Sequence, residues 1–314
     1  MERRENANET KFAQNNEKQI RSKKSRLNRA TAGDCVIAAL LIVFTVLAFY
    51  PVWFTLIGSF NNGTDYLKGG VYLVPRVFTW ANYKVIVSDE RIWHGLLITV
   101  LRCLTGPAML VGFTAFVAYG MSRKELKGKK VFNIINLITM FFGGGMIPLY
   151  LLCKMLGLLN TFWIYVLPGM YNVYDMILMR AFFNGLPEDL HEAAVIDGAS
   201  EFKIFFTIVA PCSKPILATV LMWALIGHWN DYLTTEIYAP LNKNLNVLQY
   251  VLQKIINGSA SAIPAGVPAV VKKSVSAKTV SLAAMMFGSL PMFAMFPFFQ
   301  RFFTKGIYVG SLKG

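Results

Sequence analysis

The chain has 314 residues, of which 55% are hydrophobic and 15% charged, with a net charge of +14 and a mean hydropathy of +0.46. Soluble domains run about 45–50% apolar and about 25% charged. Here the apolar excess lies in blocks too long for an ordinary core helix, which excludes a soluble protein and points to an all-α integral membrane protein.

In chain order, the first 33 residues carry nine Lys or Arg against four Glu. They predict a basic cytoplasmic tail, residues 1–33, drawn to anionic lipid. The run "KQIRSKKSRLNR" could also suit nucleic acid, but a solvated inner-face tail is the more ordinary reading, and no nucleic-acid partner is expected. Thirty-three residues are too long an n-region for a secretory signal, so the first apolar run is read as a retained span.

Six stretches lack Asp, Glu, Lys and Arg: Cys35–Phe60, Cys103–Ser122, Val131–Cys153, Met155–Tyr174, Pro215–Asn230 and Thr279–Gln300. About 20 helical residues cross the hydrocarbon core, so residues 34–314 are expected to form a six-span domain. Only Lys154 separates the third stretch from the fourth, which predicts a tight hairpin there. Strand alternation, which a barrel requires, is absent. "FFGGGM" at 141–146 lies inside a span, where it suits a close helix crossing or a kink rather than phosphate binding.

Basic residues near the spans set the orientation. "RKELKGKK" at 123–130 carries five bases and one acid. With the tail, it puts both termini on the cytoplasmic side of the membrane. Residues 239–278, outside in this topology, hold five Lys and no acid. That loop disagrees, although long loops obey the rule poorly.

Chemistry-bearing motifs are missing. Cysteines 35, 103, 153 and 212 and histidines 94, 191 and 228 are dispersed, so neither a disulfide frame nor a metal site is expected. No G-x-x-x-x-G-K-[ST] loop is present to hold ATP, and no catalytic set can be assembled. A non-catalytic chain that binds no cofactor itself follows.

One segment needs a separate explanation. In "NGLPEDLHEAA" at 184–194, Pro187 suits a helix start, and Glu188 and Asp189 favour the positive end of its dipole. A narrow stripe of Leu190, Ala193 and Ala194 follows. Asp197-Gly198 should stop the helix with a left-handed turn, and Ser200 can cap a second. Its apolar face is Phe202, Phe205, Phe206 and Val209 until Pro211 interrupts. Two short helices of this kind make a cytoplasmic knob, lying on the bilayer or bundle or inserted in a partner's groove.

These residues resemble the EAA signature of type I ATP-binding-cassette (ABC) importer permeases. In "EAAVIDGAS", with "IVAP" and "SKP" following, Glu192, Ala193, Ala194, Asp197, Gly198, Ile208 and Pro211 match in place. "FTWANYK", "MFFGGGMIPLYLL", "LGLLNTFWIYVLPG", "GHWNDYL" and the terminal "PFFQRFFTKGIYVGSLKG" are similar to carbohydrate permeases of the oligosaccharide and aldouronate type, akin to the maltose-type second permease. The loop at 258–273 departs from that pattern.

The resemblance implies a MetI-like permease fold with coupling helices about 187–211. It also implies a second, different permease, two ATPase subunits that use ATP and Mg²⁺, an extracytoplasmic substrate-binding protein and a carbohydrate substrate. The implied ATPase-coupling set is Glu192, Ala193, Ala194, Asp197, Gly198, Phe202, Phe205 and Pro211. An ABC permease for a non-sugar solute and a secondary transporter are the rival readings, and the docking knob argues against the latter.

Charges in or beside spans are costly, which singles out Arg102, Asp175, Arg180 and Asp231. Trp229, Asn230 and Asp231 combine a stacking ring with hydrogen-bonding groups and are candidates for the sugar path. Asp231 could instead anchor the outer end of its span, and that is the favoured alternative.

Overall fold

Helix forms over most of the apolar sequence. The computed structural model describes residues 32–258 and 268–311 as helices, turns and bends, with one isolated antiparallel bridge between Asn61 and Phe78. The tail 1–31, residues 259–267 of the atypical loop and residues 312–314 of the terminal motif lie outside the described residues. Contacts divide the chain into two units, Met1–Phe54 and Thr55–Gly314.

The described part of the first unit belongs to the helix Ala32–Ser59, which contains Pro51. Its Leu40, Phe44 and Leu47 are exposed, as are apolar residues on every other face. A helix apolar all round has no stripe to turn toward water and suits lipid.

In the second unit, Glu90–Ser122 is the central helix. It packs against Val173–Phe183, Lys214–Asn230 and Leu248–Ile256. The Asp89 side chain caps it by accepting from the Arg91 amide at 3.0 Å. The expected second span, Cys103–Ser122, therefore begins thirteen residues earlier and carries Arg102 inside it. Leu248–Ile256 and Ala277–Ser311 pair on the other side, with Trp229, Leu248, Leu252, Val280 and Ala284 in their shared core.

Among the described residues, three helices are long and apolar enough to cross a membrane: Gly33–Ser59, Glu90–Ser122 and Ala277–Gln300. Two bent pairs raise the number to five if each is one span. Lys129–Phe141 meets Met146–Met155 at 113°, and Glu201–Cys212 meets Lys214–Asn230 at 82°. The first bend falls on Gly143–Gly145, where Gly145 has φ 87°, so the glycine run does kink its span.

The stretch Met155–Tyr174 corrects the expected fourth span and its hairpin. Leu156 ends one helix, Gly157 (φ 68°) and Asn160 (φ 57°) turn the chain, and a short 3-10 turn occupies Phe162–Tyr165. Helix resumes only at Val173. Lack of charge did not make this stretch helical, because its backbone groups find other partners. The Asn160 amide donates to the Tyr238 carbonyl at 3.0 Å, and its side chain accepts from the Leu241 amide at 3.1 Å.

Gly63 shows how tightly the first loop is clamped. Its amide donates to the Ser274 carbonyl at 2.8 Å, and a Cβ there would lie 2.1 Å from the Ser276 backbone nitrogen. Overpacking of this kind costs about 1–3 kcal/mol. Gly63→Ala should lower the melting temperature of the purified chain. Gly112→Ala, where nothing lies within 4 Å, should not; equal melting of both variants would refute the clamp.

Candidate functional site: a docking knob and a polar cavity

The knob is built on a helix stop. Asp189–Ile196 is helical, two residues after the start that Pro187 suggests. At its end the Gly198 amide donates to the Val195 carbonyl and the Ala199 amide to the Ala194 carbonyl, both at 3.0 Å. With Gly198 at φ 74°, this is a Schellman closure. The Ser200 hydroxyl accepts from the Lys203 amide at 3.4 Å and caps the next helix, Glu201–Ile204. Both expectations hold at these positions.

Pro211 behaves differently from expectation, because it does not end the helix. A π turn over Phe205–Val209 precedes it, with the Ala210 amide donating to the Phe205 carbonyl, and helix continues through Ala210–Cys212. The wider turn accommodates a residue that has no amide proton and whose ring crowds the preceding turn.

The supposed aromatic face divides in two. Phe202 and Phe206 are 70% and 59% exposed, whereas Phe205 and Val209 are each only 4% exposed. Phe205 packs on Phe116 (centroids 4.6 Å apart) and Tyr119 (5.2 Å). It anchors the knob to the central helix and is not itself a docking surface. Ala194 is buried in the same core, beside Ile204, Val209 and Phe183. Glu192, Ala193, Asp197 and Gly198 remain on the exposed side, together with Ile196, which is 85% exposed.

Polar contacts tie the knob down as well. Lys124 donates to Glu188 at 2.5 Å, and this bond holds the Glu188 carboxyl below its ordinary range and the Lys124 ammonium above its own. Tyr119 donates to the Glu201 carboxylate, whose other oxygen lies 3.2 Å from His191 Nε2.

The second feature is a cavity of about 700 Å³ between the central helix, Met146–Met155, the 164–172 segment and residues 224–238. Arg102, Tyr165, Tyr171, Asn172, His228 and Asp231 are among its walls. The Arg102 guanidinium pairs with the Asp231 carboxylate, donates to the Asp231 carbonyl at 2.9 Å and to His228 Nδ1 at 3.2 Å, and lies 4.6 Å from the Tyr165 ring centroid. Asp231 also caps the helix Leu233–Tyr238, accepting from the Thr234 amide at 3.1 Å. A buried cation is thus paired and hydrogen-bonded, as the low-dielectric surroundings demand.

The three path candidates separate. Trp229 is 5% exposed and donates to the Gly288 carbonyl at 2.9 Å; it fastens two helices and does not face the cavity. Asn230 is exposed, its amide bonded to the Ile226 carbonyl at 3.0 Å. Asp231 alone of the three lines the cavity. Arg102 and His228 were missed as its partners; opposite charges at 102 and 231, inside and beside uncharged stretches, were the available signal. Arg180 bonds Asn133, and Asp175 is buried at the start of its helix. Among the described residues no group of His, Cys, Asp and Glu could hold a metal ion.

Residues 108–307 match the family described as "Binding-protein-dependent transport system inner membrane component". The chain is 32% identical over 288 residues to the polygalacturonan/rhamnogalacturonan transport system permease protein YtcP of Bacillus subtilis, covering 90% of this chain and 98% of that one. It is 27% identical to the arabinooligosaccharides transport system permease protein AraQ of Halalkalibacterium halodurans, covering 88% and 96%. Among solved structures, it matches a chain of a bacterial ABC transporter involved in the import of the acidic polysaccharide alginate. There the TM-score is 0.79 and the identity 28%, covering 88% of this chain and 99% of that one.

Proposed function

Because this chain belongs to the family of binding-protein-dependent transport system inner membrane components, we propose that it is a permease subunit of an ATP-driven carbohydrate importer in a bacterial plasma membrane. It forms half of the translocation path and pairs with a second, different permease. Two separate ATPase subunits use ATP and Mg²⁺, a substrate-binding protein delivers the sugar from outside, and this chain carries out no chemistry. The substrate class is an oligosaccharide or polysaccharide fragment, supported by the names of the relatives. The chain crosses the membrane six times with both termini inside, Val173–Phe183 and the segment before it supplying the fourth crossing. In this reading the tail 1–33 precedes a permease domain of residues 34–314.

The observation that carries the reading is the exposed knob. A buried root of Ala194, Ile204 and Phe205 holds out Glu192, Ala193, Ile196 and Phe202. Large apolar side chains left exposed on an element rooted in the core suit a partner's site. Glu192 meets the rim of a cleft on the ATPase, Ala193 permits close approach, Asp197 and Gly198 form the turn, and the helix around Pro211 carries the load into the membrane. Asp231 contributes to the wall of the sugar path at the 700 Å³ cavity.

Uptake of labelled oligogalacturonides, alginate oligomers and arabino-oligosaccharides into vesicles holding the whole complex tests the assignment. One class should enter only when ATP is supplied on the cytoplasmic side. Uptake driven by an ion gradient without ATP would overturn it.

A further inference from the structure

The knob is not attached to the membrane helices by packing alone. Glu201 stands where three elements meet: the helix carrying Glu192, the next short helix, and the central helix Glu90–Ser122. One carboxylate oxygen accepts the Tyr119 phenol proton, and the other lies 3.2 Å from His191 Nε2. Tyr119 is itself held by two further contacts. Its ring packs against Phe205 at 5.2 Å, and the Arg123 guanidinium lies 4.9 Å from its centroid. His191 and Glu201 flank the Gly198 turn, so their contact also braces the angle between the two knob helices.

The middle of the same central helix reaches the cavity. Arg102 is 17 residues before Tyr119, or about 25 Å along the helix axis, and it holds Asp231 and His228. Between them lie Gly106 and Pro107. The His228 ring sits so close over Gly106 that a Cβ there would fall 2.2 Å from it. The helix therefore has a clasp at the knob, a cavity-lining charge between four and five turns away, and a proline with a tightly packed glycine between.

We propose that the Tyr119–Glu201–His191 clasp is the positioning device that makes the central helix follow the knob, so that movement imposed at Glu192 is delivered to the cavity wall at Arg102. This rests on the proposed ATP-driven function and names the residues that transmit it. Phe205 and Ile204 supply the buried packing that keeps the knob seated. The clasp supplies direction, since hydrogen bonds to a carboxylate fix an angle that apolar contacts alone leave free to slide.

Cys103, next to Arg102 and partly buried against the core of Trp229 and Leu248, reports on this part of the helix. The experiment uses the assembled complex with Cys35, Cys153 and Cys212 replaced by Ser, and follows maleimide labelling of Cys103 with and without MgATP and vanadate. The unaltered clasp should give a labelling rate that changes at least fivefold on adding nucleotide. Tyr119→Phe and Glu201→Ala should each reduce that change to less than twofold, while ATPase subunits are recovered as before. The double variant should be no worse than either single one, and Glu201→Gln, which keeps an acceptor oxygen, should retain most of the response. A full response in Tyr119→Phe and Glu201→Ala would overturn the proposal. So would an absent response with the clasp intact, or loss of ATPase recovery in the clasp variants. Failure to recover any ATPase with the unaltered chain would instead overturn the function on which the proposal rests.

Discussion

Glu192→Lys and Gly198→Val should each uncouple this chain from its ATPase while leaving its membrane helices inserted. Gly198 has φ 74° and open space where a Cβ would stand, so the penalty for valine is conformational and not a clash. A β-branched residue in the left-handed region costs on the order of 1 kcal/mol or more. The chain can relieve it by opening the Schellman closure at Val195 and Ala194, which turns the Glu192 helix out of line. Glu192→Lys leaves the fold alone, because the residue is exposed, but reverses the charge presented to a partner. Each change is expected to reduce coupled ATP hydrolysis about tenfold or more, the equivalent of about 1.4 kcal/mol in docking. Subunit recovery and hydrolysis in reconstituted vesicles are the measurements. Normal coupling in both variants would mean the knob only lies on the bundle or bilayer.

The second large effect is expected at Asp231. Its carboxylate is the counter-charge of Arg102, which is 3% exposed, and it also caps the following helix. Removing one partner of a buried pair costs about 3–5 kcal/mol, whereas removing both often costs little. Asp231→Leu should therefore sharply lower the yield of assembled complex, with Asp231→Asn intermediate because it keeps one acceptor oxygen. Arg102→Met combined with Asp231→Leu should recover much of the yield. Sugar uptake by that double variant then reports on the cavity itself: restored assembly with altered affinity places Asp231 on the path, and restored assembly with unchanged uptake leaves it an anchor. Wild-type yield for Asp231→Leu alone would contradict the ion pair.

Much of this was legible in the residues, and the exceptions have physical causes. Gly198, Ser200 and the Gly143–Gly145 kink could be read because each depends on local backbone chemistry. Membrane spans were harder. Absence of charge located Ala32–Ser59 and Ala277–Gln300 well, but it misread Met155–Tyr174, where turns at Gly157 and Asn160 are satisfied by residues near 240. It also cut short the central helix, because Arg102 was taken as a boundary when its charge is neutralised by a residue 129 positions away. The same limit applies at the site. Helical spacing grouped Phe202 with Phe205, and both reach Phe116, yet Phe205 packs closer on it and also on Tyr119, which decides which of them is covered. Trp229 had the composition of a sugar platform, but its indole is committed to the Gly288 carbonyl. Long-range partners of this kind leave no trace in spacing.

Recovery of the complex from its native membrane tests the central claim most directly. With a tag on this chain and mild solubilisation, the expected product contains one copy of this chain, one different permease and two ATPase subunits. Its ATP hydrolysis should be absent when the chain is purified alone. A homodimer that transports sugar with no ATPase present would contradict the account.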